Sequence, residues 1–490
     1  MKPLVKRVDG KLTRRAAALV LCLTSAGLAV LSFAAKPAAD SLDRKSRGKA
    51  PSLVQTESGW SVIGSPNPGS GQNGFGGVTC ATAVDCWAVG SYGNIASSNP
   101  GTLIEKWDGN SWSVVSSPNT SPTQSNGLHE VTCVSANDCW AVGAYHDGSF
   151  GHTLIERWDG ATWSIVASPN TSATQTNVLE SVACTSTNAC WAAGYYYNGS
   201  FDQTLIEKWD GVSWSIVSSA NNGTTRSNDL SDVACASANN CWAVGSYNLG
   251  SFNQTLILSW DGVAWISRSA PNLSPAHNSG FSGVTCVSDN DCWAVGSGQS
   301  AGILPRTLIA RWQGGLWEIV SSPNAVNASH SNGLSDVTCT AADNCWAVGY
   351  ADLHQPIHTM IQRWNGAEWS LVSSPNLGNF NNVLQGVACA AAYECWTAGY
   401  HANQDPTTGT LIEGHFGLEI ISVARLANNH KLINCIGIPG QVNNLQASSD
   451  LNPANFATVS PPPPVAAANG AFQYEDANPG NTRFYRLAFP

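Results

Sequence analysis

The chain has 490 residues, enough for about three average domains, yet only 11% are charged against roughly 25% in a typical soluble domain. With 43% hydrophobic residues and 20 tryptophans, disordered and collagen-like chains are excluded. The formal charge is −10; without residues 1–34, which hold six Lys/Arg and one Asp, 17 basic side chains face 32 acidic ones, a net of −15. Nucleic acid and other polyanions are therefore poor partners.

Lys2, Lys6, Arg7, Lys11, Arg14 and Arg15 precede an apolar run from Ala16 to Ala35. A basic segment, an apolar segment and the small-residue stretch Ser32-Phe33-Ala34 read as an export signal over 1–34, cleaved near Ala34, with a linker over 35–58. An uncleaved anchor is the alternative, because about 20 apolar residues span a bilayer, but Thr24, Ser25 and Gly27 interrupt this run. No later stretch reaches membrane length, so no integral membrane segment is expected after signal removal. The expected location is secreted, extracellular or cell-surface, with the periplasm as a further compartment.

Fourteen of the 16 cysteines form seven pairs of identical spacing: Cys80/Cys86, Cys133/Cys139, Cys184/Cys190, Cys235/Cys241, Cys286/Cys292, Cys339/Cys345 and Cys389/Cys395. A zinc site would need two such pairs converging or histidines nearby, whereas each pair recurs alone. Disulfides are expected, each stapling a short turn and contributing about 2 kcal/mol in the chain-entropy view.

First cysteines of successive pairs are 53, 51, 51, 51, 53 and 50 residues apart, the period of a repeat architecture. The second unit runs Leu128 to Cys133, turns, continues Cys139-Trp140-Ala141-Val142-Gly143, crosses a variable loop to Thr153-Leu154-Ile155-Glu156-Arg157-Trp158, and turns at Asp159-Gly160 into Trp163 to Val166. Four short β-rich runs separated by turns predict a four-stranded antiparallel blade, and seven blades predict a propeller over 59–417. Seven tryptophans follow the second Cys, six precede the Asp-Gly-type turn and seven follow it, which accounts for all 20. Their fixed positions suit the space between neighbouring blades. Thr410 to Gly417 lacks a following Trp strand, while Gly59-Trp60-Ser61-Val62 has no preceding strands, so the N-terminal segment is expected to complete the seventh blade and leave no open sheet edge.

The recurring Cys-Trp-Ala-Val-Gly and Trp-Asp-Gly-x-x-Trp strings resemble kelch-like blades and, more closely, repeats of exported bacterial β-propeller proteins; this resemblance implies a fold and no activity. After Gly417 the period stops. Residues 418–490 hold β-prone runs around Pro461 to Pro464, and the ending Phe484-Tyr485-Arg486-Leu487 resembles the fibronectin-like C-terminal modules of exported bacterial proteins. The expected class is all-β: a seven-bladed propeller with N-terminal strand closure and a small C-terminal β-sandwich.

Loops joining second to third strands vary most between blades, and a constant scaffold with variable loops is how binding surfaces are diversified. Tyr145, Phe150, Tyr196, Phe201, Tyr247 and Phe252 on these loops are candidates to stack on sugar rings or meet a protein surface; the competing reading is that they pack down on neighbouring loops. Glu130, Asp232 and Asp336 occupy equivalent positions near the start of the innermost strands of alternate blades. They could serve acid/base chemistry or hold a hard cation such as calcium, although nothing else in the sequence supports a cofactor. No metal-ligand set, nucleophile elbow, phosphate loop or dinucleotide fingerprint occurs. The sequence therefore reads as an exported non-enzymatic module binding a glycan or extracellular protein through its variable-loop face. The alternatives are a secreted glycan-active hydrolase or lyase using channel-mouth carboxylates, or a structural surface or adhesion component; nothing here sets the oligomeric state.

Overall fold

The computed structural model describes residues 59–416 apart from 95–96, 326–329, 354–355, 392–393 and 404–406, and beyond them 419–425, 430–436, 444–448, 457–458, 471–476 and 484–488. The expected signal and linker lie outside the described residues. Seven four-stranded antiparallel sheets follow one another along the chain. Blade 2 is representative, with strands Ser125–Ser135, Asp138–His146, Gly151–Trp158 and Trp163–Val166. The first strands of all seven blades touch in succession and the last, Asn382–Ala391, returns to the first, Asn73–Thr82, so these strands line a closed central channel.

Closure runs through the two ends of the repeat array. Trp60–Val62 pairs antiparallel with Thr408–Phe416, placing Trp60 opposite His415 and Val62 opposite Glu413. The contact continues past the strand: Ile63 N–H donates to Ile412 O at 2.9 Å, Thr410 N–H to Asn67 Oδ1 at 2.8 Å and Asn73 N–H to Thr408 Oγ1 at 3.1 Å.

Each cysteine pair sits directly opposite across the first two strands and is bridged, with Cα atoms 4.0 Å apart in all seven cases. The bridges close the short turns as expected and also reach into the apolar cores. The second partner of each, Cys86, Cys139, Cys190, Cys241, Cys292, Cys345 and Cys395, is fully buried and belongs to an apolar core between blades. The first partners, among them Cys80 and Cys133, are half-buried and pack against the same cores. Strand alternation is the cause. The second strand lies inside a sheet covered on both faces, so Cys86 points into the core shared with blade 7 and its neighbour Trp87 into the core shared with blade 2.

The glycine ending each Trp-Ala-Val-Gly run has a steric reason: a Cβ on Gly143 would overlap the carbonyl oxygen of Gly127 on the first strand. A register shift in every first strand, between Leu128 and Glu130 in blade 2, inserts one extra residue and turns the following side chain toward the channel.

The apolar cores lie between blades. Trp87, Val89 and Ile104 of blade 1 pack against Leu128, Val131, Leu154, Trp158 and Trp163 of blade 2. Within it Trp87 meets Trp158 at a ring-centroid distance of 4.8 Å and Trp163 edge-on at 5.3 Å, and the same tryptophan triad recurs at five further interfaces. At the seventh, between blades 6 and 7, His415 takes the third tryptophan's place, 4.7 Å from Trp346 and 5.3 Å from Trp60. Sparse basic residues serve these stacks: Lys106, Arg157, Lys208 and Arg311 each lie over two indole rings.

The C-terminal segment forms two three-stranded antiparallel sheets, one from Glu419–Arg425, Lys431–Ile436 and Ala471–Asp476 and one from Asn444–Ser448, Ala457–Thr458 and Phe484–Ala488. Ile433, Cys435, Leu445 and Tyr474 are buried there. Among the described residues no helix is long and apolar enough to cross a membrane.

Candidate functional site

The two sets of variable connections share one face. Hairpins between second and third strands bond to the segment that enters the first strand of the same blade, as Tyr197 N–H does to Thr176 O at 2.8 Å, Asn248 N–H to Ser227 O at 2.8 Å and Gln299 N–H to Asn278 O at 2.7 Å. The entering segment is also clamped from below, since six first strands open on a buried asparagine. Asn228 is typical: Oδ1 accepts the Asn222 N–H at 2.7 Å while Nδ2 donates to Gly223 O and Arg226 O at 3.1 and 2.8 Å. Loop tips can therefore vary in sequence without loosening their bases.

The candidate aromatics divide on this scaffold. Tyr145, Tyr196 and Tyr247 pack against the inter-blade cores, and Tyr145 also stacks on His152 at 5.1 Å; Phe150 is half-buried. Phe201 and Phe252 are exposed, at 38% and 36%. They are joined by Tyr197, Leu249, Leu273 and Leu304, which the candidate aromatics did not include, so large apolar side chains stand exposed on this face in consecutive blades 3 to 5.

At the centre, Glu130, Asp232 and Asp336 line a channel-mouth cavity of about 280 Å³, together with residues at the first-strand bulges from Gly76 through His129, Glu180 and Ser231 to Gln385. Their carboxylates are heavily engaged with backbone. Asp232 accepts the N–H of Val233 on its own strand at 2.7 Å, the N–H of Val284 on the next blade at 2.6 Å and the Ser181 hydroxyl. Asp336 does the same with Val337 at 2.6 Å and Val387 at 2.8 Å, and Glu130 accepts Val131 N–H at 2.9 Å. The intervening glycines make room, since a Cβ on Gly77 would overlap the Glu130 carboxylate. Burial raises all three carboxyl pKa values, and mutual repulsion adds to the rise for Asp336, through Asp232, and for Glu130, through Asp336 and Asp232. Beside them His129 Nδ1 lies 3.0 Å from Glu180 Oε2; burial alone would depress this imidazole, but the Glu180 carboxylate outweighs it and the net shift is upward. Among the described residues no group of three or more His, Cys, Asp or Glu is placed to hold a metal ion.

A second acidic pocket, of about 490 Å³, opens between blades 3 and 4 around Tyr195, Tyr197, Asp202 and Asp229. Burial, then Asp202 and Glu180, lifts Asp229 to about 6, and burial followed by Glu180, Asp202 and Asp229 lifts Tyr195 to about 12. Its sequence signal was the pair of aspartates Asp202, opening the third strand of blade 3, and Asp229, near the start of the first strand of blade 4, a pattern visible only once the blades are set side by side.

No family model and no curated protein matches the chain. Solved structures with similarity include YCF48 bound to a D1 peptide, at TM-score 0.45 and 12% identity over 73% of this chain and 96% of that one. Another is a polysaccharide lyase, an ulvan lyase bound to a saccharide of GlcA and Rha3S, at 0.43 and 10% over 69% and 96%. A third is a protein of unknown function from Dyadobacter fermentans, at 0.42 and 10% over 74% and 98%.

Proposed function

We propose that the protein is an exported binding module that recognises a glycan or an extracellular protein through the loop face of its propeller, with residues 418–490 as a separate C-terminal module. The observation that carries this reading is the run of exposed large apolar side chains, Tyr197, Phe201, Leu249, Phe252, Leu273 and Leu304, across three adjacent blades of the variable face. Exposing such groups to water costs free energy, which covering them with a sugar face or a protein partner recovers. The seven disulfides fit an oxidising compartment. The channel-mouth carboxylates are bonded to the backbone of neighbouring blades, which gives them a place in holding the ring whatever else they do.

The test is a glycan array and an extracellular-protein pull-down with the disulfide-bonded chain, compared with the double variant F201A/F252A. Ligand capture that falls at least about tenfold in the variant is expected, the loss typical of two interface anchors. Equal capture by both, or none by either, overturns the reading.

A further inference from the structure

Six blades keep a buried asparagine at the start of the first strand, opposite Ala351 in blade 6 and His401 in blade 7, and blade 5 alone has lost it. In blades 1 to 4 the second strand carries a tyrosine opposite the buried asparagine: Tyr92 opposite Asn73, Tyr145 opposite Asn126, Tyr196 opposite Asn177 and Tyr247 opposite Asn228. These phenol rings cap the inter-blade cores. In blade 5 both partners are cut down, to Gly298 opposite Ser279. The result is a pocket of about 240 Å³ on the loop face between blades 4 and 5.

The walls of this pocket are uncharged and set polar side chains among apolar surface. Ser246, Ser297, Asn253, Asn278 and Gln299 surround it, with Ser279 among its lining and glycine or proline elsewhere. The amides are held in place by their own bonds: Asn253 N–H donates to Asn278 Oδ1 at 2.9 Å, Asn248 Nδ2 to Asn253 Oδ1 at 2.8 Å and Asn278 Nδ2 to Gln299 Oε1 at 3.3 Å. Ser279 is only 3% exposed, and its hydroxyl has no hydrogen-bond partner among the described residues. A buried hydroxyl left unpaired costs roughly 1–3 kcal/mol, and the asparagine found here in other blades would have spent its amide on the entering loop. At the edge, Phe252 and His277, the sequence neighbours of Asn253 and Asn278, meet at a tilt with ring centroids 5.8 Å apart, and Phe252 is exposed.

We infer that this pocket is a subsite for one neutral saccharide ring, its hydroxyls bonded by Ser279, Asn253, Asn278 and Gln299 and its apolar face turned to Phe252. This rests on the binding function proposed above and names its ligand class and position. Volume sets the limit, since about 240 Å³ falls below the roughly 300–1,000 Å³ of drug-sized ligand sites and admits a single ring. Charge sets the class, because no ionisable side chain lines the pocket to compensate a buried carboxylate or sulfate.

The experiment is saturation-transfer NMR and titration of the full disulfide-bonded chain with D-glucose, D-galactose, D-mannose, L-rhamnose and N-acetyl-D-glucosamine, with D-glucuronate as charged control. The variants are S279A and the double variant S279N/G298Y, which restores the residues of blades 1 to 4. A neutral sugar should bind the wild type, about threefold to tenfold more weakly after S279A, the effect of one lost hydrogen bond, and not detectably after the double change. Leu273, whose side chain would crowd any Cβ at position 298, must turn aside in the double variant; should that protein not fold, S279A decides alone. Unchanged affinity in S279A, binding retained in a folded S279N/G298Y, binding of glucuronate alone or no sugar binding overturns the subsite. If partner capture still depends on Phe201 and Phe252 in that event, only the subsite fails; if that is lost too, the binding function fails with it.

Discussion

The two faces of the ring are built from the same seven repeats and look nothing alike. On the turn face every blade carries the same cysteine bridge, and in five blades the third-to-fourth-strand turn is closed by the same side-chain cap: Asp108, Asp159, Asp210, Asp261 and Asn365 each accept two backbone N–H bonds at 2.8–3.0 Å. The two turns of a blade also touch, since Trp158 Nε1 donates to Ala136 O within the cysteine turn at 3.1 Å. On the loop face only the bases of the connections recur, and the tips differ in length, charge and apolar content. Residues that answer a demand of the ring repeat, and residues beyond its reach diverge. Stability should therefore respond to changes in the shared framework and binding to changes at the divergent tips.

The hardest blow to the framework is to open it. Removing residues 59–67 deletes the strand opposite His415 and the Asn67 bond to Thr410, exposing one sheet edge and the core beneath Trp60. Urea unfolding followed by tryptophan fluorescence should lose its single cooperative transition. The point variant W60A should retain it with a loss of about 3–5 kcal/mol, the cost of emptying a large buried aromatic site. Unaltered unfolding of the truncated chain would mean that the ring is not closed by its ends.

The next effect is set by pH. Glu105, Glu156, Glu207 and Glu413 are fully buried between blades, each accepting a hydroxyl from the preceding blade, as Glu156 does from Ser117 at 2.9 Å. Burial, only partly offset by that serine, lifts each to about 8 from 4.5. Because the folded state holds these protons more tightly than the unfolded chain, their stabilisation is complete below about 4.5 and is lost as the pH rises through about 8. The turn-face aspartates act in the opposite sense: N–H bonds lower Asp108, Asp159, Asp210 and Asp261, so their contribution exists above the ordinary aspartate value and disappears in acid. Unfolding midpoints should therefore peak in mildly acidic solution and decline toward alkaline pH, by several kcal/mol in sum. E156Q should flatten that decline, since Gln362 occupies the same site in blade 6 and donates to Pro323 O at 2.9 Å. A midpoint that rises toward alkaline pH contradicts this account.

The cysteine bridges come third. Each closes a short turn, so C133S/C139S should lower stability by about 2 kcal/mol, measured by the same urea titration. Thiol counting on protein purified without reductant and then denatured should find none of these 14 sulfur atoms reduced; finding all of them reduced would remove the bridges from the native molecule.

Why some of this could be read from the sequence and some could not follows from the residues themselves. Cysteine and tryptophan are scarce and sit at fixed spacing, so the blade count, the bridges and the role of Trp60 are legible along one dimension. How deep a bridge reaches is not, because the spacing of Cys133 and Cys139 is the same whether the turn stands free or is rooted in a core. The missing tryptophan was legible as a gap, but His415 filling it was not, because an imidazole in a strand carries no such signal. The buried glutamates were visible as the last residue of Thr-Leu-Ile-Glu, yet their partners are serines 39–40 residues earlier, in another blade. Glu130, Asp232 and Asp336 could be placed by register, while the N–H groups they accept come from bulges, which no side-chain pattern announces. The blade 5 pocket had a signal, Ser279 against Asn in the other six blades and Gly298 against Tyr in blades 1 to 4, but it is a subtraction and shows only after those blades define what belongs there.

The smallest effect on stability separates the faces most sharply. Phe201 and Phe252 are exposed at loop tips, so F201A/F252A should shift the unfolding free energy by no more than about 0.5 kcal/mol. Val212, Val263 and Leu316 are still more exposed, at 84%, 85% and 67%, but each stands at the tip of a separate turn on the opposite face. Isolated apolar tips of that kind are ordinary surface residues. V212S/V263S should accordingly leave both stability and ligand capture unchanged, while F201A/F252A leaves stability alone and removes capture. A pair of results in which the valines matter to capture as much as the phenylalanines would show that exposure by itself, and not its gathering on the variable face, is what a partner meets.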